Sequence, residues 1–289
     1  MSARLRAAFS LLLLAHVPLA GAFSLPFSNN DPLKDVPKVS TSAASAQVLG
    51  QTFTIESKFL QETRRINVYV PPACQSAACP ALYMADGGIN EDFIHIAGLI
   101  QVGSSNHTMR PFLLVGIENT ERRRDLTPPT EVAEDKRIAP HVGGSALFRQ
   151  FIRDELKLAI QSRYQVTSES AIVGESLAGL FIVETLLVEP KLFDHYIAIS
   201  PSLWWNDQAL PKATAAAMKA HADLKATLYL SQGADNSERP GMDAMVSALK
   251  AGAPASLSWS YEPMPNETHA TIFHPAAMAA FRKVFAPKP

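Results

Sequence analysis

The chain has 289 residues, with 26 Lys and Arg against 27 Asp and Glu, and a formal net charge of −1 at pH 7. That balance argues against a nucleic-acid partner, whose phosphates need a basic face. The length is generous for one α/β domain and short for two large ones, and no segment after the N-terminus has the unbroken apolar length of a membrane span.

The first residues read as a secretion signal. Arg4 and Arg6 give a basic start, Phe9 to Leu14 is an apolar core, and Ala20-Gly21-Ala22 fits an A-x-A cleavage site before Phe23. A single membrane anchor is the competing reading, disfavoured because the apolar run is short and broken by His16 and Pro18. The expectation is a signal over residues 1–22, a flexible leader rich in Pro, Ser, Asn and Ala over 23–46, and one folded domain over 47–289. The mature protein is expected to be slightly negative, without stable membrane insertion, and exported to the periplasm or secreted.

The domain then alternates strands and helices. Thr52–Glu56 and Arg65–Val70 read as an antiparallel pair. Cys74 and Cys79, the only cysteines, sit in a turn-rich segment and are expected to form a local disulfide in an oxidising compartment; no nearby His or Cys pair completes a zinc ligand set. Ala81–Ala85 reads as a buried strand ending at Asp86-Gly87-Gly88, Asp92–Ile100 as a helix, and Phe112–Ile117 as a strand covered on both faces. From Ser145 to Tyr164 the apolar residues recur at spacings of three and four, which predicts one long helix. His195–Ile199 and Thr227–Ser231 are further strands. A helix carrying Met242, Met245, Val246 and Leu249 stops near Gly252 and Pro254. Leu257, Trp259 and Tyr261 alternate in a last strand, and Pro275–Phe285 closes the chain as a helix. This order predicts a mostly parallel sheet with helices on both faces, and ligands at the carboxyl ends of its strands.

The most informative stretch is Ala171-Ile172-Val173-Gly174-Glu175-Ser176-Leu177-Ala178-Gly179. A short β-branched run leads into Gly-x-Ser-x-Ala-Gly, and a helical pattern follows from Leu177 to Val188. That is the strand–turn–helix context of a nucleophile elbow, which lifts a serine on a sharp turn above the sheet. Small residues at Gly174, Ala178 and Gly179 let strand and helix approach. A serine needs an adjacent base. In the chain order Ser, acid, His, the base is expected to be His269, with His274 as competitor; the acid is Asp235 or Glu238, or His269 works without a strong acid partner. The tetrahedral intermediate needs backbone donors, expected at Leu177 and at Gly88. Taken alone, Asp86-Gly87-Gly88 reads as an ordinary tight turn; its place in the strand order favours the oxyanion role.

Three further segments follow strand ends. Arg122, Arg123 and Arg124 could bind an anionic substrate or be solvated; Arg124 is taken as the substrate-binding candidate. Trp204 and Trp205, in Ser200-Pro201-Ser202-Leu203-Trp204-Trp205-Asn206, could wall a pocket or be core. His141 to Ser145 reads as a loop with Ser145 as a helix N-cap.

These motifs together resemble the esterase branch of the α/β-hydrolase superfamily that holds the enterochelin and salmochelin trilactone esterases, S-formylglutathione hydrolases, feruloyl esterases and mycolyltransferases. The resemblance covers roughly Gln51 to the C-terminus. Its most specific marks are the Arg-x-Arg-Asp-Leu-Thr-Pro segment from Arg122 to Pro128 and the Ser-Pro-Ser-Leu-Trp-Trp-Asn loop, both similar to siderophore-esterase-like members. It implies an α/β-hydrolase fold, Ser176 as nucleophile, His269 as base, donors at Leu177 and Gly88, a small-molecule ester substrate and no cofactor or metal. The chain departs from the family at the acid, where Asn236 stands at the matching position between Asp235 and Glu238. The function expected is hydrolysis of a carboxylic ester through an acyl-enzyme, with a siderophore-type ester as the candidate substrate. The alternatives are acyl transfer or thioester hydrolysis on the same site, or a noncatalytic binding protein with this fold.

Overall fold

A computed structural model of the chain describes residues 41–235 and 239–287. The expected signal and most of the leader lie outside the described residues. Residues 41–47 have no regular structure, and from Val48 onward the chain forms one compact unit.

Eight strands form one sheet in the order β1-β2-β4-β3-β5-β6-β7-β8. Strands β1 (Gln51–Ser57) and β2 (Glu62–Tyr69) are the expected antiparallel pair, and β2 runs antiparallel to β4 (Leu113–Ile117). From there the sheet is parallel: β4 with β3 (Cys79–Met84), then β5 (Val166–Glu175), β6 (His195–Ile199), β7 (Ala226–Gln232) and β8 (Leu257–Pro263). The central strands are continuous apolar runs because both faces are covered. Their side chains alternate between two cores. Ala81, Tyr83, Ile172, Tyr196, Ala198, Leu228 and Leu230 join one core, while Leu82, Met84, Ala171, Val173, Ile197, Ile199 and Tyr229 join the other.

The second core is closed by α1 (Phe93–Ser105) and, at the chain's end, by the helix Phe273–Val284. Between β4 and β5 come two short helices, α2 (Arg122–Leu126) and α3 (Ala133–Arg137), and then the long helix predicted from Ser145. It forms as α4 (Ser145–Phe151) and α5 (Lys157–Arg163) joined through a wider π turn over Ile152–Leu156. Helix α6 (Leu177–Val188) is apolar apart from Thr185 and Glu184, the latter paired with Arg149, because it is buried between the sheet and other helices, with Leu177 to Leu187 all buried. Helix α7 (Trp205–Ala220) was not expected from the sequence pattern. Its first turn is left-handed at Asn206, Asp207 and Gln208, and Pro211 follows, so the start is unlike a regular helix; the Ala-rich run 213–217 is the signal that marks the rest. Helix α8 (Arg239–Gly252) buries Met242, Met245, Val246 and Leu249 as expected, and α9 is the Phe273–Val284 helix, which begins ahead of Pro275. The expected disulfide joins Cys74 and Cys79. Among the described residues, no helix is long and apolar enough to cross a membrane.

One ion-pair network ties α2 to the sheet. Arg64 on β2 is fully buried and donates to Asp125 Oδ2 at 2.5 Å, to Glu62 Oε1 at 2.8 Å and to Thr120 Oγ1 at 2.7 Å. Its guanidinium also lies 5.3 Å from the Phe148 ring. Removing one partner of such a pair leaves a buried charge uncompensated. Asp125→Ala is therefore expected to cost about 3–5 kcal/mol of stability, measured by urea unfolding; a loss under about 1 kcal/mol, the scale of a surface pair, would show that Glu62 and Thr120 suffice for Arg64.

Candidate active site

The elbow forms at the end of β5. Ser176 has φ 60° and ψ −120°, a conformation that L-residues adopt only when their surroundings impose it. The surroundings are visible. A Cβ on Gly174 would lie 2.5 Å from the Ala178 Cβ, so strand and helix can cross this closely only with glycine there. Gly179 serves a different contact from the one expected: it faces Pro201 and the Ile199 carbonyl at the end of β6. The Ser176 N–H donates to Ile199 O at 3.1 Å, and Ser176 O accepts from the N–H groups of Leu180 at 2.9 Å and Ser202 at 3.1 Å. Backbone bonds on both sides thus hold the turn.

The structure brings His269 to this serine. Its Nε2 lies 3.0 Å from Ser176 Oγ, and its Nδ1 lies 3.0 Å from Ser200 Oγ. With the proton on Nδ1, the ring donates to Ser200 and keeps Nε2 as an acceptor for the Ser176 hydroxyl. Ser202 Oγ stands 3.3 Å from Ser176 Oγ. Sequence reasoning singled out this Ser-Pro-Ser loop for its tryptophans and missed the two serines; their position directly after β6, the strand beside the elbow, is the signal that finds them. His274 is held elsewhere. It lies in the first turn of α9, with Nδ1 2.9 Å from His95 Nε2.

The loop carrying His269 is fixed by the loop after β7. Asp235 Oδ2 accepts the His269 backbone N–H. Ala234 N–H donates to Glu267 O at 2.8 Å, and a Cβ on Gly233 would lie 2.6 Å from that same oxygen, so the two loops meet where only glycine fits. Glu238, the other candidate acid, lies outside the described residues.

Of the expected oxyanion donors, Leu177 is the first residue of α6, where an N–H has no intrahelical acceptor. The Gly88 N–H already donates to Glu91 Oε2 at 2.6 Å.

Arg124 and Trp205, two of the expected substrate-binding residues, are engaged by the protein's own groups. Arg124 donates to Glu62 Oε1 at 2.8 Å and to Asp125 Oδ1 at 2.7 Å, which ties it into the Arg64 network. Burial alone would raise the Glu62 carboxyl, but hydrogen bonds from Arg124, Thr120 and Arg64 hold it down to about 2. Arg122 clasps Asp86 through two bonds of 2.5 and 2.8 Å, and Arg123 donates to Ile138 O. Trp205 is buried and its indole N–H donates to Pro128 O at 2.9 Å. Trp204 remains 36% exposed against it and is the one of the pair able to meet a ligand. Among the described residues, no group of three or more His, Cys, Asp or Glu is placed to hold a metal ion.

Glu175, directly before Ser176, is the electrostatic exception. Burial pushes its carboxyl up to about 7; the charges of Asp92 and Asp86 add to that, while His269 and Arg122 oppose it. Its Oε1 is buried without a hydrogen-bond partner among the described residues. A carboxyl raised in the fold contributes fully to stability below its unfolded value near 4.5 and loses that contribution as pH rises through about 7. Glu175→Gln should therefore match the wild type in melting temperature at pH 4 and exceed it at pH 8.5. Equal differences at the two pH values in thermal melts would refute the raised carboxyl.

The family model described as "Putative esterase" matches residues 57–271, which is most of the folded unit. The chain belongs to that esterase family. The ferri-bacillibactin esterase BesA of Bacillus subtilis (strain 168) is 32% identical over 178 residues, covering 53% of this chain and 59% of that protein. The siderophore triacetylfusarinine C esterase of Aspergillus fumigatus is 37% identical over 119 residues, 39% of either chain. The chain thus spans less than two thirds of the length of these curated relatives. An IroE-like serine hydrolase from Shewanella oneidensis superposes with a TM-score of 0.73 at 27% identity, covering 82% of this chain and 80% of that one. The fold is that of the α/β-hydrolase esterases.

Proposed function

We propose that this esterase-family chain is an exported serine esterase that cleaves a siderophore-type carboxylic ester through an acyl-enzyme. The observation that carries the reading is the 3.0 Å approach of His269 Nε2 to Ser176 Oγ on a strained elbow. In this mechanism Nε2 takes the hydroxyl proton as Oγ bonds to the ester carbon. The oxyanion forms against the backbone N–H groups of Leu177 and Gly88. The imidazolium then gives its proton to the leaving alcohol, and a water activated by the same Nε2 releases the acid and frees Ser176. Ser200 at Nδ1 holds the ring's orientation, and Asp235 positions the loop through the His269 backbone. Trp204 is the wall offered to the substrate, with Trp205 as its buried support. Glu121, Arg122, Arg123, Arg124, Pro140 and His141 line a groove beside α2, whose arginines are already paired with carboxylates or a backbone carbonyl. The siderophore class is supported by what the relatives from Bacillus and Aspergillus hydrolyse. Export is supported by the N-terminal pattern and by the Cys74–Cys79 disulfide, a bond that persists in oxidising compartments.

The test is hydrolysis of p-nitrophenyl butyrate and of a ferric siderophore trilactone. Ser176→Ala and His269→Ala should each lower kcat by a factor on the order of 10⁴ or more with melting temperature unchanged. Full activity in Ser176→Ala would overturn the assignment. In the same assay, Glu238→Gln with a large loss in kcat alone would assign it as the triad acid, whereas Asp235→Ala, which removes the acceptor of the His269 N–H, is expected to lower both kcat and melting temperature.

A further inference from the structure

The Gly88 N–H is covered by a charge from its own loop. Glu91 Oε2 accepts it at 2.6 Å. The same carboxylate accepts the Asn119 side-chain amide at 2.9 Å on Oε1 and the Asn119 backbone N–H at 3.5 Å on Oε2. Asn119 is itself anchored by Asp86 Oδ1 at 2.6 Å, so the acceptor arm has a fixed base. The loop is closed by Glu91 N–H on Gly88 O and by Asp92 N–H on Asp86 O, both at 3.0 Å. The carboxylate lies so close over the glycine that a Cβ there would sit 2.8 Å from Oε2 and 3.1 Å from Cδ.

We propose that Glu91 is a gating residue of the esterase site: its carboxylate masks the Gly88 donor, and the pair formed with Leu177 is complete only after Glu91 swings out. The inference rests on the serine-esterase reading above and deepens it. An ionised acceptor on an N–H makes a stronger bond than a neutral ester carbonyl does. An oxyanion forming at the same N–H would also face a like charge at contact distance, which disfavours both. The masked state is therefore a resting state, not one that stabilises the tetrahedral intermediate. Opening is local. Glu91 and its neighbours Ile89 and Asn90 are exposed, so the withdrawn carboxylate enters solvent. Asn119 keeps its bond to Asp86 when Glu91 leaves, and the Arg122 clasp on Asp86 does not involve Glu91.

Wild type, Glu91→Gln and Glu91→Ala would be compared on p-nitrophenyl butyrate, with Ser176→Ala in each background. The second readout is the Ki of a trifluoromethyl ketone, which forms a tetrahedral adduct on the serine. One oxyanion donor is worth about 10²–10³ in kcat, which is the ceiling on the gain; because the wild type unmasks Gly88 when Glu91 swings out, Glu91→Ala should raise kcat by less than that, roughly ten-fold, with KM little changed and the ketone bound tighter by a similar factor. Glu91→Gln, whose neutral oxygen holds the N–H less strongly, should fall between. If Glu91→Ala does not fold, the near-isosteric Glu91→Gln decides by the same sign. Rates that stay level or fall in the folded variants, while remaining dependent on Ser176, would overturn the gate and leave the esterase reading standing. Hydrolysis that survives Ser176→Ala, or that is absent in all three forms, would overturn that reading and the gate with it.

Discussion

The crossing of β5 with α6 at Ser176 is the constraint on which the site depends. Gly174 against Ala178 leaves no room for a side chain on the strand, so the chain must reverse within one residue. That forces Ser176 to φ 60°, a strain of about 1–3 kcal/mol that the flanking backbone bonds to Ile199, Leu180 and Ser202 offset. The consequence is directional. The hydroxyl stands clear of the sheet, the N-terminus of α6 points at it, and the loop after β6 is drawn alongside. Because Ser202 binds the elbow's carbonyl through its backbone and Ser176 Oγ lies near its hydroxyl, the Ser-Pro-Ser loop is part of the elbow's support. The same loop then supplies Ser200 to the far nitrogen of His269.

The second organising feature is how charge is spent around the rim. Arg64, Arg122 and Arg124 each bind a carboxylate at 2.5–2.8 Å, so their fork-like donors are used to fix α2 and the loop after β3. Asp125 and Glu62 are the shared acceptors for Arg64 and Arg124. Glu175 differs, with burial and the negative charges of Asp92 and Asp86 raising its carboxyl beside Ser176. The rim is therefore rigid where arginines meet carboxylates. Glu91, by contrast, is exposed, and a rotation of its side chain would free the buried Gly88 N–H.

Much of this was legible along the chain because it is local. Period-two alternation and continuous apolar runs marked the strands, since each residue's face is set by its immediate neighbours. The elbow was legible because its glycine, serine and small residues are contiguous. The pattern from Ser145 predicts one helix, and the π turn inside it leaves its apolar face in place. Helix α7 was not read because its first turn is left-handed at Asn206–Gln208, stabilised by tertiary bonds: Asn206 N–H to Asp135 Oδ2 at 2.8 Å and Thr130 to Asn206 Oδ1 at 3.2 Å. No local pattern encodes a turn held by a segment about seventy residues upstream.

The sequence by itself determined the fold class and the turn at Ser176, and chain order pointed to His269, which the fold brings to 3.0 Å from that serine. Only the tertiary structure decided which side chains stand beside them. The Arg122–Arg124 run and the paired tryptophans look alike as sequence whether they bind a ligand or hold the frame; distance separates the roles, with Arg124 in the Arg64 network and Trp205 on Pro128. Ser200 and Ser202 gained their place at the site because β6 pairs with β5 in register, bringing Ile199 level with Glu175. The Glu91 carboxylate over Gly88 is likewise a fact of loop closure, in which three residues of spacing permit the contact but only the folded turn makes it.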